Sequence, residues 1–496
     1  MAGPGGALNR LMDGLRRLGR RAFLGSAGML LLPSGRSVRG YPAHGRLRLA
    51  VVGMAGYGAW HGFAEAIHAY PDVEYAVSCD VDRLKAARVY DLWEKRAAEW
   101  PRAEKEDQRK AAEVYARLAS RRPPLYADFR RMFDEAAGGF DAVVVATPDH
   151  THTVVAAAAL RAGKPVLAEK PLSISAHEAR ALRALVRERR LATQVNTGGA
   201  AAPAFRRGVE ILREGLLGEV RDVHVFFSRG GRNFQKPPQG TLPVPETFDW
   251  NLWLAQLRWR DYHPEWINRV GWRETGLGEL GNFGPHSANM AFLGLGVREL
   301  WDAAPGEARL RVTAECSEIN TLSFPRWERI RWEVPARGGR PPVTFTWHHG
   351  PPPDYAPGSR KMLEDLLAGA GAPGKFLPYA GCLIVGSKGL LATNSHNTEV
   401  DLFPRDRFEG VETKRPSTLP LSPGHYREWI EACRGGPPPL SNFDFAAPFV
   451  EFLAVGSLST RFPGETLEFD PATGRIPNHP RAEEFLRYEY RKGWTL

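Results

Sequence analysis

Apolar residues gather first into short continuous runs and later into alternating ones. Leu47–Val52, Val73–Cys79, 141–146 and 165–168 are mostly apolar. Segments with helical spacing lie between them: Phe63, Ala66 and Ile67 after the first run, and 153–163 after the third. Runs apolar on both sides that alternate with helices predict a parallel sheet covered on both faces. From about residue 197 the pattern changes. Val220–Phe227 alternates as a half-buried strand, and 309–316, 330–334, 343–347 and 383–385 repeat the pattern. They predict a large, open, mainly antiparallel sheet with its helices kept to one side. An α/β chain of two domains is therefore expected, 46–196 and 197–496, behind a leader of residues 1–45. Residues 84–121, rich in Arg, Lys, Glu and Ala, predict one or two solvated helices broken at Pro101, a surface insertion without chemistry.

Polar chemistry collects where the first runs end. Leu47–Val52 leads into Gly53-Met54-Ala55-Gly56-Tyr57-Gly58, a Gly-x-Gly/Ala-x-x-Gly loop. Gly53 permits the tight turn, a small residue at Ala55 lets a pyrophosphate approach the backbone, and Gly58 lets strand and helix pack closely. The helix that follows would turn free N–H groups toward the phosphates. Gly53, Ala55, Gly56, Tyr57 and Gly58 are thus expected to bind a dinucleotide. Asp80, which ends the second run, can accept from both adenosine ribose hydroxyls and would repel a 2′-phosphate. NAD is favoured over NADP, and Arg83 is near enough to soften that preference. The alternative for Asp80 is a helix N-cap. The other two runs end in Thr147-Pro148-Asp149-His150-Thr151-His152 and Glu169-Lys170-Pro171-Leu172. Ligands of open parallel sheets sit beyond the carboxyl ends of the strands, where all three clusters fall. The first domain reads as a doubly wound Rossmann sheet.

A glycine loop, Thr-Pro-x-x-x-His and then Glu-Lys-Pro is a pattern that resembles the Gfo/Idh/MocA oxidoreductases. The resemblance covers almost everything after residue 46. It includes Asp249-Trp250-Asn251-Leu252-Trp253-Leu254, Tyr262-His263-Pro264, Gly278-Glu279-Leu280-Gly281-Asn282-Phe283-Gly284-Pro285-His286, Ser441-Asn442-Phe443-Asp444 and Tyr490-Arg491-Lys492-Gly493-Trp494. It implies cofactor contacts at Thr147, Pro148, His152, Glu169 and Lys170. Lys170 corresponds to the lysine that reaches the nicotinamide and the reacting hydroxyl, with Glu169 as a structural or lysine-orienting group. His286 corresponds to the histidine that serves as general base. Two positions depart from the family, which often has aspartate four residues before this histidine and three after it. Here these are Asn282 and Asn289, and an amide can position a hydroxyl but cannot take a proton. Asn282 is kept as a catalytic candidate in that positioning sense.

Residues 228–275 are rich in aromatic, Gly and Pro residues. Aromatic faces with a few donors such as Arg229, Arg232 and Asn233 suit a sugar, although most of these tryptophans read as core. Tyr262 and His263 are the pocket candidates. No metal-ligand spacing stands out. Cys79, Cys316, Cys382 and Cys433 form no CxxC pair and read as buried thiols, with disulfides open.

Charge changes the picture only at the N-terminus. The formal net charge is +10 over 496 residues. Residues 1–45 hold seven arginines against Asp13 alone, leaving 59 basic and 55 acidic residues in the remainder. So balanced a body has no polyanion-binding footprint, and nucleic acid is not expected as a partner. Arg20-Arg21-Ala22-Phe23-Leu24, an apolar stretch through Leu32 and then Pro33 predict a twin-arginine export signal too short to span a membrane. The mature protein is expected outside the cytoplasm, without a membrane span, and as a homo-oligomer through the second sheet, as the resemblance implies.

The leading expectation is hydride transfer between a tightly retained NAD and a secondary alcohol of a sugar, cyclitol or related carbohydrate. Retention follows from export, because no free nicotinamide pool would supply turnover outside. Two alternatives stay open: glycoside hydrolysis by oxidation, elimination and re-reduction on NAD, and a non-catalytic nucleotide or sugar binder.

Overall fold

A computed structural model describes residues 45–56, 70, 72–229, 232–375 and 377–496. The twin-arginine segment, Tyr57 and Gly58, and the helical spacing at Phe63 lie outside the described residues. Six strands, β1 (Leu47–Val52), β2 (Val73–Cys79), β3 (Leu125–Tyr126), β4 (Ala142–Val145), β5 (Val166–Ala168) and β6 (Thr193–Val195), form one sheet in the order β3-β2-β1-β4-β5-β6. Every pairing in it is parallel. All positions of β4 and β5 are buried, as continuous apolar runs require.

The charged stretch after β2 is not an insertion. It forms two helices, Arg83–Glu99 and Glu106–Arg121, with Pro101 in the turn between them, and carries the crossover from β2 to β3. Each helix is amphipathic. Val89, Tyr90, Trp93, Tyr115 and Leu118 are buried, and Trp93 packs edge-on against Tyr75 and Tyr90 at 5.2 Å each. The sequence reading weighed the charges and missed this apolar stripe.

Eight strands make the second sheet: β7 (Val220–Phe227), β8 (Leu310–Cys316), β9 (Glu328–Val334), β10 (Val343–His349), β11 (Ala380–Gly386), β12 (Gly389–Asn394), β13 (Val400–Phe403) and β14 (Leu467–Phe469). Their order is β13-β12-β11-β7-β10-β9-β8-β14, antiparallel throughout except for β7 beside β10. The expectation that helices keep to one side is corrected. Helix Ser359–Gly369 covers the far face of one end, where Leu363 and Leu367 meet Phe226, Leu383 and Leu390. Strict alternation along β7 sends Phe226 there while Val225 and Phe227 face the main core.

Helix Phe443–Ser459 joins the two halves. It is buried at every position but Asp444 and packs between helix Ala176–Arg189 of the first sheet and strands β8 and β9 of the second. Phe452 stacks on Trp332 at 4.7 Å, and Trp332 Nε1 donates to the Phe452 carbonyl at 3.0 Å. A Cβ at Gly456 would run into the Trp332 ring, so glycine sets how closely helix and sheet approach. At the helix start, Asp444 and Asp302 receive Arg183 and Arg187 over 2.7–3.2 Å. Although apolar almost all round, neither this helix nor any other among the described residues is long and apolar enough to cross a membrane. The four cysteines are free thiols, three of them buried.

Two segments late in the chain return to the first sheet. Helix His425–Cys433 inserts Trp429, Ile430 and Cys433 into the core beside β1, and Arg427 and Arg434 both grip Asp72. The C-terminal tail follows the opposite side, as described below. Phe452→Ala is expected to cost about 3–5 kcal/mol in denaturant unfolding, because the cavity opens between rigid aromatic neighbours. A loss below about 1 kcal/mol would show that this helix is not the joint between the halves.

Candidate active site

The glycine loop closes tightly on its neighbours. Gly53 adopts φ +82° and its N–H donates to the Cys79 carbonyl at 2.8 Å. A Cβ at Gly53 or Gly56 would meet the carbonyl of Ala146 at the end of β4. Asp80 anchors the loop from the β2 side, accepting from Ala55 N at Oδ2 and from Asp82 N at Oδ1, both at 2.9 Å. Burial raises its carboxyl above the usual value. Helix capping, the alternative reading for Asp80, belongs instead to Asp82, which accepts from Lys85 N at 3.0 Å.

A cavity of about 200 Å³ opens here, walled by Gly53, Ala55, Gly56, Asp80, Thr147 and Pro148 on one side. Phe248, Leu252, Trp253, Ala255 and Ile267 wall the other. Thr147 Oγ1 is buried without a hydrogen-bond partner among the described residues. A cradle without Cβ atoms, a carboxylate for a ribose, an apolar slot and an unused hydroxyl together fit a dinucleotide. Arg83 turns away, donating to the Glu246 carbonyl at 2.9 Å, and Lys85, paired with Asp82 at 3.1 Å, is the base that lines the cleft. His152 does not line it. Its ring is 1% exposed and lies 2.7 Å from the Pro171 carbonyl and 2.8 Å from that of Thr147, tying the ends of β4 and β5 together.

Beyond the end of β5, Lys170 points into a polar cluster. Its Nζ donates to Asn282 twice, to the backbone carbonyl at 3.0 Å and to Oδ1 at 2.9 Å. Asn282 Oδ1 also accepts from Arg269 at 3.2 Å, and its Nδ2 donates to Glu279 at 2.8 Å. Arg269 in turn holds Asp149 at 3.0 and 3.2 Å, and Arg232 holds Glu279 at 3.1 Å. Glu279, 1% exposed, sits one helical turn before Asn282 on helix Gly278–Ser287. Burial, reinforced by the Arg269 charge, brings the Lys170 ammonium down to about 8. Glu169 accepts from Asn196 at 2.5 Å, so it orients no lysine directly.

His286, on the same helix, has Nδ1 buried with no partner among the described residues. Burial, followed by the Lys170 charge, holds its ring well below the usual histidine value. The imidazole packs 4.5 Å from His396 and 6.2 Å from Phe283, which stacks on Phe227 at 4.1 Å. Asn289 is turned inward to hold Asn397 at 2.8 Å and takes no part in this cluster.

The two pocket candidates sit elsewhere. Tyr262 is enclosed with Phe248 and Trp250 behind the cofactor cleft, and His263 Nδ1 accepts from Glu265 N at 3.3 Å, capping the turn Pro264–Ile267. Aromatic composition drew attention to both, and here it serves packing. Sequence reasoning missed Asp149, Arg269, Glu279, Tyr379 and His396. Asp149 and Glu279 stood inside the quoted motifs as spacers, while Arg269, Tyr379 and His396 carried no local signal.

The loop that roofs the cofactor cleft is held from behind by the C-terminal tail. Arg491 donates from its backbone to Gln256 O at 3.0 Å, and from its guanidinium to Asn251 Oδ1 at 2.9 Å and Ala255 O at 2.7 Å. Trp494 packs against Phe129, a cleft residue, at 5.9 Å, with Arg130 over its ring at 4.3 Å.

Residues 47–197 match the sequence model of the Gfo/Idh/MocA oxidoreductase family, described as having an NAD-binding Rossmann fold. Over 102 residues the chain is 38% identical to dTDP-3,4-didehydro-2,6-dideoxy-alpha-D-glucose 3-reductase of Actinomadura kijaniata, covering 21% of this chain and 29% of that protein. Over 38 residues it is 66% identical to inositol 2-dehydrogenase 1 of Saccharopolyspora erythraea, covering 8% and 11%. These matches thus span less than a third of either relative. The structure of the WlbA dehydrogenase from Bordetella pertussis, in complex with NADH and UDP-GlcNAcA, superposes with a TM-score of 0.51 over 86% of this chain and 99% of that chain, at 14% identity, a likeness of fold. Over residues 47–197 the chain matches the NAD-binding Rossmann domain of the Gfo/Idh/MocA oxidoreductases, and its fold as a whole is like theirs.

Proposed function

We propose that this protein transfers hydride between a retained NAD and a secondary alcohol of a carbohydrate. The observation that carries the reading is Lys170: an amine brought down to about 8, fixed at the carboxyl end of β5 and facing Asn282. The names of the two relatives, a sugar 3-reductase and an inositol dehydrogenase, support this substrate class. When bound, the nicotinamide supplies the hydride acceptor or donor. The chain supplies the rest. As a free amine Lys170 takes the hydroxyl proton; as an ammonium it stabilises oxygen bearing negative charge and returns the proton in the reverse direction. Asn282 holds Nζ in place without taking a proton. His286 does not act as the base in this reading, because a ring kept neutral so far below its usual value is a poor proton acceptor. It accepts a hydrogen bond from the substrate hydroxyl instead. Phe283, His286 and His396 offer ring faces to a sugar.

Export by way of Arg20-Arg21, and with it a cofactor that stays bound between turnovers, belong to the same proposal. The strap at Arg491 supports retention, since the roof over the cleft cannot swing out while the tail is docked.

Three measurements test this reading. Reduced-nicotinamide absorbance should appear when sugars and cyclitols are screened against protein carrying NAD; a uniformly silent panel overturns it. The oxidation rate should rise with pH through about 8, as Lys170 loses its proton, and then level off. Lys170→Met should lower kcat by about 100-fold or more and remove that inflection; an inflection that persists in the variant assigns it to another group. Arg491→Ala should speed cofactor loss on gel filtration about tenfold, the scale of losing charge-assisted hydrogen bonds; an unchanged rate means the tail does not hold the roof.

A further inference from the structure

We infer that the carbohydrate taken by this site is a sugar acid, its carboxylate received by Arg229. The inference rests on the functional reading above and adds the substrate's charge. Three basic side chains, Lys170, Arg269 and Arg232, belong to the cluster, a fourth, Arg229, lies over the nearby Tyr379 ring, and the cluster's carboxylates are already engaged. Asp149 belongs to Arg269, Glu279 to Arg232 and Asn282, and Glu169 to Asn196. Lys170 meets only the carbonyl and amide of Asn282. The Arg229 guanidinium has no hydrogen-bond or ion-pair partner among the described residues and meets only the Tyr379 ring. The charged side chains that act most on His286, Lys170 and Arg269, are both basic. Asp149 offsets Arg269, Glu279 offsets Arg232 and Glu169 acts on Lys170, so the charge a neutral sugar would leave uncompensated is that of Arg229. An anionic substrate neutralises it.

The place of the anion follows from β7. Just past its end, Ser228 N donates to the Tyr379 carbonyl at 2.7 Å, which sets the next residue over the Tyr379 ring. The Arg229 guanidinium carbon stands 3.8 Å from that ring's centroid, so one face is covered while the N–H edge stays open. Tyr379 meets Phe283 edge-on at 5.9 Å, and Phe283 leads on to His286 and His396 at 6.2 and 6.1 Å. A sugar lying along these rings, with its reacting hydroxyl between Lys170 and His286, would extend its far end toward Arg229. Guanidinium offers two parallel N–H groups to a carboxylate, and a ring beneath it limits the freedom lost on binding.

Calorimetric titration of the NAD-loaded protein with D-glucuronate, D-glucose and D-glucose 6-phosphate tests the inference without requiring turnover. Glucuronate should bind about tenfold or more tightly than glucose, and that margin should shrink as sodium chloride is raised. Arg229→Gln should bring the two affinities together, with circular dichroism confirming that the variant is folded. Equal binding of glucuronate and glucose, a preference that survives in Arg229→Gln, or tighter binding of the 6-phosphate overturns the assignment. Selective binding of glucuronate without nicotinamide reduction by any sugar would leave the acid site standing and remove the dehydrogenase reading. Reduction by glucose with no preference for glucuronate does the reverse.

Discussion

An ammonium buried against an amide is the constraint around which the site is arranged. Taking Lys170 out of water disfavours its charged form, and a carboxylate in contact would have reversed that effect. Asn282 satisfies the donors without contributing charge. The carboxylates stand one bond further out, Glu279 behind the Asn282 amide and Asp149 behind Arg269. Their attraction is thus relayed through groups that carry a dipole or a positive charge of their own. The lysine stays near the middle of the range in which it can both give and take a proton. The asparagine that looked like a loss in the sequence is what leaves Lys170 tunable by burial.

Such a balance tolerates little movement, and the fold supplies rigidity from three directions. Lys170 leaves the end of a fully buried strand. Asn282 and His286 share one helix, which packs against the buried helix Phe443–Ser459. Arg269 comes from a loop whose Asn268 side chain accepts from Gly271 N at 3.0 Å. All of these elements draw on one apolar core that runs from the first sheet to the second without a break. No hinge through solvent separates the lysine from the helix that presents its partner.

Much of this was legible in the chain. Runs such as 142–146, apolar at every position and alternating with helical segments, fit a doubly covered strand, and the polar residues just beyond them then fall at the ligand end of a parallel sheet. Asp80 and Lys170 were found in this way, and Asn282 through the resemblance to the family. What escaped depends on encounters between distant segments. Strand β3 is two residues long and exists because the Arg83–Arg121 helices deliver it to the edge. Arg269 becomes important only where its loop meets Asp149, 120 residues away in sequence. Tyr262 and His263 misled for the converse reason: an aromatic or an imidazole in a loop suits a pocket and a packing cluster equally well, and only the enclosing rings decide between them.

The crossing of segments between the two halves also bears on how the chain is made. Trp429 and Ile430 complete a core that begins at Leu47, and Arg491 secures the roof over a cleft whose floor begins at Gly53. During translation, the nucleotide-binding half therefore remains unfinished long after its own strands have left the ribosome. A chain built in this way matures as a whole rather than domain by domain.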